Sequence, residues 1–200
     1  MAEYRNPYYD TPISPEDEDS FVQGVHFETK ADLYEAEATA LYEVRFELYR
    51  AIQDDELSAH DLTQPNSLET LHREINKSIW QWAGMLRKTG LSIGIDPRLI
   101  RQELYQQLDT LQWRVDNMDM HGLSPEAVAM GAHHTMVWIH PFVDGNGRST
   151  RLYADLLLFA LTGDRVFEWS EDPLYYAALK RADSSRDVSE LLEIVGVEVL

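Results

Sequence analysis

The sequence predicts a mainly α, single-domain fold: a helical bundle around a central buried helix, with one small β-hairpin. Three observations predict it. Apolar residues recur three and four positions apart over most of the chain beyond residue 28. Residues 152–161 (LYADLLLFAL) are apolar nearly all round, as a helix enclosed by others must be. A single segment, Met85–Ile95, trades helical spacing for the alternation Leu91-Ser92-Ile93 among Gly84, Gly90 and Gly94, which suggests a hairpin or flap. A chain of 200 residues, 44% hydrophobic and 10% aromatic, fits one such domain and can bury its core.

Residues 1–28 stand apart as an irregular acidic arm, draped on or leaving the domain. Pro7, Pro12 and Pro15 interrupt regular structure, and Glu16–Asp19 is a run of carboxylates. Such a run is ordinarily a solvated segment; docking is the minor alternative. The domain proper is expected over 29–200. Leu33, Leu41, Val44, Leu48 and Ile52 define a first long helix. Ser67 is expected to cap a second, carrying Leu68, Leu71, Ile75, Ile79 and Trp82. Ile100, Leu104, Leu108, Leu111, Val115 and Met118 form the most regular stripe. Ser124-Pro125 reads as a cap with proline at the first helical position, followed by Val128, Ala132, Met136 and Ile139. Shorter helices are expected near 173–182 and 188–195.

Composition excludes several functions. The chain has no cysteine, so disulfides and thiolate metal sites are ruled out. A formal charge of −18 opposes nonspecific binding to nucleic acid or anionic membranes. It suits solubility, and would also suit a basic protein partner. No signal-peptide pattern or membrane-length apolar run is visible, so the expected address is the cytoplasm.

The chemistry concentrates in His140-Pro141-Phe142-Val143-Asp144-Gly145-Asn146-Gly147-Arg148-Ser149-Thr150-Arg151. Gly145-Asn146-Gly147 precedes a strongly helical segment. A glycine turn there presents backbone N–H groups and the positive end of the helix dipole, which suits a phosphate; the same tripeptide is also an ordinary turn. Arg148 and Arg151, three apart, share a helix face at that end, and their guanidinium forks match polyphosphate oxygens. Ion pairing, for instance of Arg151 with Asp155, is the alternative. Asp144 is a hard oxygen ligand suited to Mg²⁺ beside phosphates, or a helix cap. His140, at the end of the preceding helix, could take a proton from an incoming hydroxyl. His133 and His134 fit poorly as metal ligands with it, because no two lie at a ligating spacing. Pro141 and Phe142 read as scaffold.

This stretch resembles the Fic (Fic/Doc, or Fido) family, whose pattern His-x-Phe-x-Asp/Glu-Gly-Asn-Gly-Arg-x-x-Arg is met at every fixed position. Leu71-His72, Ile79–Gly84, Arg87, Ile93-Gly94 and Leu179–Asp183 also look like Fic sequence, so roughly residues 30–195 are covered. The acidic arm is similar to that of the bacterial mobile mystery protein B type. The resemblance implies a Fic-type bundle and transfer of AMP from ATP to a Ser, Thr or Tyr hydroxyl of a target protein. His140 would be the base, Asp144 the Mg²⁺ ligand, and Gly145, Asn146 and Gly147 the phosphate cradle. Arg148 and Arg151 would hold the β- and γ-phosphates. Leu91, Ser92, Ile93 and Gly94 would form a flap pinning the target backbone as an added strand.

One departure stands out. Many Fic proteins carry a restraining Ser/Thr-x-x-x-Glu-Gly/Asn helix, whose glutamate engages the second motif arginine. Thr39–Glu43 and Thr70–Glu74 have the spacing, but Val44 and Ile75 follow. Glu35 or Glu37 on the first helix could serve instead, or could simply face solvent. A separate inhibitory partner, as in toxin–antitoxin pairs, is the remaining option. Two other functions stay open: transfer of a different phosphate-containing group, and a catalytically silent nucleotide-binding regulator.

Overall fold

The first helix is α1 (Pro15–Asp19), in a computed structural model that describes residues 12–169 and 172–200. The long helix α2 (Lys30–Gln53) follows. It starts where it does because Thr29 and Asp32 form a reciprocal capping box. A single-turn helix, α3 (Ala59–Leu62), opens on a second box, Ser58 with Asp61. It is too short to carry a readable period. Next come α4 (Ser67–Asn76), α5 (Ile100–Asp116), α6 (Met118–His121) and α7 (Pro125–Ile139). As expected, the Ser124 hydroxyl caps α7, accepting from Ala127 N at 3.1 Å.

At the centre lies α8 (Asn146–Thr162), in which Tyr153, Ala154, Leu156, Leu157 and Leu158 are wholly enclosed. Helices α2, α3, α4 and α7 all pack on it, which explains a sequence apolar on every side. The chain then forms β1 (Arg165–Glu168), α9 (Pro173–Ser185), α10 (Ser189–Ile194) and β2 (Gly196–Val199). Burial of each large α8 side chain contributes about 1.5–3 kcal/mol.

Four expectations need correction. Ser67 is the first residue of α4, not its cap; Asn66 holds that place without a capping side-chain bond, and the helix ends at Asn76, before Ile79 and Trp82. The hairpin expected over Met85–Ile95 has no strand. One guanidinium organises that loop instead: Arg87 donates to Thr89 O (2.9 Å), Ile95 O (2.6 Å) and His140 O (2.7 Å). The loop's backbone is tied to the end of α7, through Arg87 N to Pro141 O and Ile95 N to Ile139 O. The small antiparallel sheet lies elsewhere, pairing β1 with β2 from Arg165↔Val199 to Glu168↔Gly196. The arm is also less irregular than expected. Residues 1–11 lie outside the described residues, but Ser14 caps α1 and Phe21 is buried. Phe21, Leu33, Ile79 and Trp80 form a small second core, separate from the main one.

Behind the site, the buried Asp155 of α8 ties β1 to the bundle. Its Oδ1 accepts from Phe167 N (3.1 Å) and its carboxylate from Trp169 Nε1 (2.9 and 3.0 Å). It does not form the ion pair with Arg151 that their spacing allows. Burial raises its pKa from 3.8 to about 7, with Glu198 adding to the rise and the two donors and Arg45 opposing it. The folded carboxyl therefore holds its proton more tightly than the unfolded one, and its contribution to stability falls as pH rises from 3.8 through about 7. Three units correspond to roughly 4 kcal/mol. Asp155→Asn keeps an acceptor oxygen and removes the charge. Its melting temperature, measured against wild type, should gain several degrees between pH 5 and pH 8.

Candidate nucleotide site

The motif is a short loop between two helix ends. Helix α7 stops because Pro141 follows His140, which takes the left-handed conformation (φ +52°). Helix α8 starts after Gly145, also left-handed (φ +73°). A β-carbon on Gly145 would lie 3.2 Å from His72 Nε2, so both the turn and the close approach require glycine.

Asn146 staples the loop shut: its Oδ1 accepts from Phe142 N and its Nδ2 donates to Phe142 O, both at 2.9 Å. Its side chain is thus committed to the backbone, and any contribution to a phosphate cradle comes from its main chain. Phe142 is wholly buried and stacks on His72 at 3.7 Å and 14°. His72 Nδ1 accepts from Gly84 N (2.9 Å), which places the ring proton on Nε2, donating to Asp144 O at 3.0 Å. Burial lowers the His72 pKa to about 4, so the ring stays neutral and acts as a fixed brace.

His140, Asp144, Gly145, Asn146, Gly147, Arg148 and Arg151 all line one open cavity of about 390 Å³. His140 is half-buried and its Nδ1 is enclosed, which leaves Nε2 as the nitrogen available to a hydroxyl. Burial chiefly, with the nearby Arg87 charge, holds its pKa below 6.5; the Val137 backbone and Asp144 pull the other way. The Asp144 carboxylate is exposed, and its Oδ1 accepts from Gly145 N at 2.6 Å. The guanidinium of Arg151 lies 5.2 Å from the Tyr175 ring and 5.8 Å from that of Trp169. Arg148 instead meets Glu37, with Nη1 to Oε2 at 2.6 Å and Nη2 to Oε1 at 3.1 Å. Glu37 is 7% exposed. Glu35 is exposed and lines a different hollow with Asp32, Thr39 and Glu43. Of the two candidates, only Glu37 reaches the motif, and it takes the first arginine rather than the second.

A Fic/DOC family model matches residues 61–158, the stretch that runs from α3 through the motif and most of α8. The chain carries a Fic/DOC domain. It is 31% identical over 100 residues to "Protein adenylyltransferase fic-1" of Caenorhabditis briggsae, covering 50% of this chain and 20% of that protein. It is 42% identical over 77 residues to a Fido domain-containing protein of Dictyostelium discoideum, covering 36% of this chain and 54% of the other. The chain therefore spans about a fifth of the length of the nematode relative and about half that of the amoebal one. Among solved structures, BepC of Bartonella tribocorum with bound AMPPNP superposes with a TM-score of 0.61 at 16% identity, covering 92% of this chain and 100% of that one. The N-terminal Fic domain of a putative cell filamentation protein of Bartonella quintana gives 0.63 at 16%, covering 95% and 90%. These two show the shared fold.

In this Fic domain the flap segment Leu91–Gly94 lies at the mouth of the cavity. Leu91 and Ile93 are exposed, and Ile93 lines the opening. Gly94 has φ +89°, and a β-carbon there would lie 2.6 Å from that of His140, so glycine is what lets the loop lean on the motif. No backbone hydrogen bond joins residues 91–94 to other described residues. His133 and His134 are engaged elsewhere, by the Tyr175 hydroxyl (2.6 Å) and by Asp183 (3.1 Å).

Three contributors escaped the sequence reading. His72 braces the loop, yet its position within the apolar stripe of α4 was a signal that it is buried. Tyr176 lines the cavity with a half-exposed ring, which suits a stacked base. Trp80 donates from Nε1 to Glu37 Oε1 at 2.8 Å, a contact between residues 43 apart that no local pattern reveals.

Proposed function

We propose that this Fic domain transfers AMP from ATP to a hydroxyl of a protein substrate, and that Glu37 restrains it. The observation that carries the reading is the convergence of an accessible imidazole, a helix N-terminus, one carboxylate and two arginines on one cavity. The adenylyltransferase names of the nematode relatives support it.

The triphosphate lies against the amino end of α8, where the N–H groups of the Gly145–Gly147 turn and the helix dipole favour negative charge. Arg151 holds the terminal phosphates, and Arg148 joins it once Glu37 withdraws. The base stacks on Tyr176. The exposed Asp144 carboxylate fits Mg²⁺, which takes few protein ligands; the ion would neutralise charge on the α- and β-phosphates. His140 Nε2 accepts the proton of the target hydroxyl as its oxygen bonds to the α-phosphorus. The bond from that phosphorus to the bridging oxygen breaks, and pyrophosphate leaves. The unpaired backbone of Leu91–Gly94 receives the target as an extended strand.

Incubation with Mg²⁺ and ATP should transfer label from the α-phosphate to protein, and none from the γ-phosphate. Transfer from the γ-phosphate alone would mean kinase chemistry. Nucleotide binding with no transfer to any lysate protein, even after loss of Glu37, would leave only a regulatory role.

A further inference from the structure

We infer that Trp80 and the arm segment 12–29 form a clamp that seats Glu37 against Arg148, which makes Trp80 a positioning residue. The inference rests on the proposed restraint by Glu37 and says what holds that restraint in place.

Glu37 receives bonds from two sources. Arg148 supplies two, and the indole N–H of Trp80 supplies a third, on Oε1. Oε1 thus accepts from both Trp80 and Arg148 Nη2, so the indole fixes the rotation of the carboxylate that meets the guanidinium. Trp80 is 6% exposed and lies in the turns after α4 rather than on α2. Its own position is set from the arm. Phe21 pairs with it in an isolated antiparallel bridge, and the two rings lie 4.9 Å apart. Val22 N donates to Ile79 O (2.9 Å), and Gln81 N to Ser20 O (3.0 Å). Trp80 also stacks with Trp82 at 4.9 Å.

The same small core also holds the relevant part of α2. Leu33 and Ala36, which precede Glu37 on that helix, pack with Phe21, Phe27, Ile79 and Trp80, and the cluster is distinct from the core around α8. The glutamate is therefore seated on a unit that the arm completes. Loosening the arm frees Trp80, and with it Glu37, without opening the main core.

The test uses the full chain, with label transfer from α-³²P-ATP as one readout and ATP affinity in a His140→Asn background as the other. Glu37→Gly sets the level of full release. Trp80→Phe keeps the ring and removes the donor, and it should raise transfer and ATP affinity by about tenfold, the scale of one lost charge-assisted bond. Phe21→Ala should act in the same direction, while Phe21→Leu, which refills the space, stays near wild type. Combining Trp80→Phe with Glu37→Gly should add nothing to Glu37→Gly alone. Wild-type behaviour of both Trp80→Phe and Phe21→Ala beside a raised Glu37→Gly overturns the clamp and leaves the restraint standing. A double variant exceeding Glu37→Gly also overturns it, because Trp80 would then act on the nucleotide site directly. No rise in Glu37→Gly overturns the restraint itself.

Discussion

Replacing His140 by asparagine lowers label transfer between about 10²- and 10⁴-fold, the range expected for loss of a general base. Asparagine is the better test residue because position 140 is left-handed (φ +52°), a conformation asparagine tolerates and alanine resists by about 1–2 kcal/mol. ATP affinity should stay within a few-fold of wild type, since the groups proposed to face the phosphates belong to α8. In the wild-type protein, the pH dependence carries a second signature. Burial holds the His140 pKa below 6.5, so the neutral, proton-accepting form persists into mildly acid solution. The acid limb of the rate should fall below pH 6.5. A His140→Asn variant that transfers label as fast as wild type would remove the imidazole from the mechanism.

Glu37→Gly should raise transfer by roughly 30- to 100-fold, while the nucleotide-free protein becomes less stable. The pair it breaks is bidentate and mostly withdrawn from water, so nucleotide must spend free energy to displace it. About 2–3 kcal/mol of displacement corresponds to that gain, at 1.4 kcal/mol per tenfold. The loss of stability has three parts: a glycine within α2 costs about 1 kcal/mol, the Trp80 N–H loses its acceptor, and Arg148 is left without its carboxylate. ATP then supplies the missing negative charge. The increase in melting temperature on adding Mg²⁺ and ATP should therefore be larger in Glu37→Gly than in wild type. Glu35→Gly, on the exposed side of the helix, carries the same glycine cost but should change neither the transfer rate nor the rise in melting temperature that Mg²⁺ and ATP produce. Equal behaviour of the two glycine variants would sink the assignment of Glu37.

The motif was legible because its chemistry is local: a proline that ends one helix, a glycine that begins the next, and charged groups within one turn of it. The helices were legible for the same reason, since burial repeats at their own period. Glu37 was partly legible. It lies four residues after the buried Leu33, on the same face of α2, whereas Glu35 lies some 200° from Glu37 around the helix. The flap misled because three alternating residues cannot distinguish a strand from a loop, and Arg87 satisfies carbonyls that a partner strand would otherwise meet. Strands β1 and β2 are four residues each and pair across two intervening helices, so neither announces its mate. The contacts from Phe21 to Trp80 and from Trp80 to Glu37 join distant parts of the chain, and distance along the chain erases periodic signals.

Strand β2 has a reach that its modest size conceals. β2 covers β1, β1 leads into Trp169, and Trp169 lies beneath Arg151 while leaning on Asp155. Loosening β2 would thus change the posture of Arg151 from a strand that lies well beyond it in sequence.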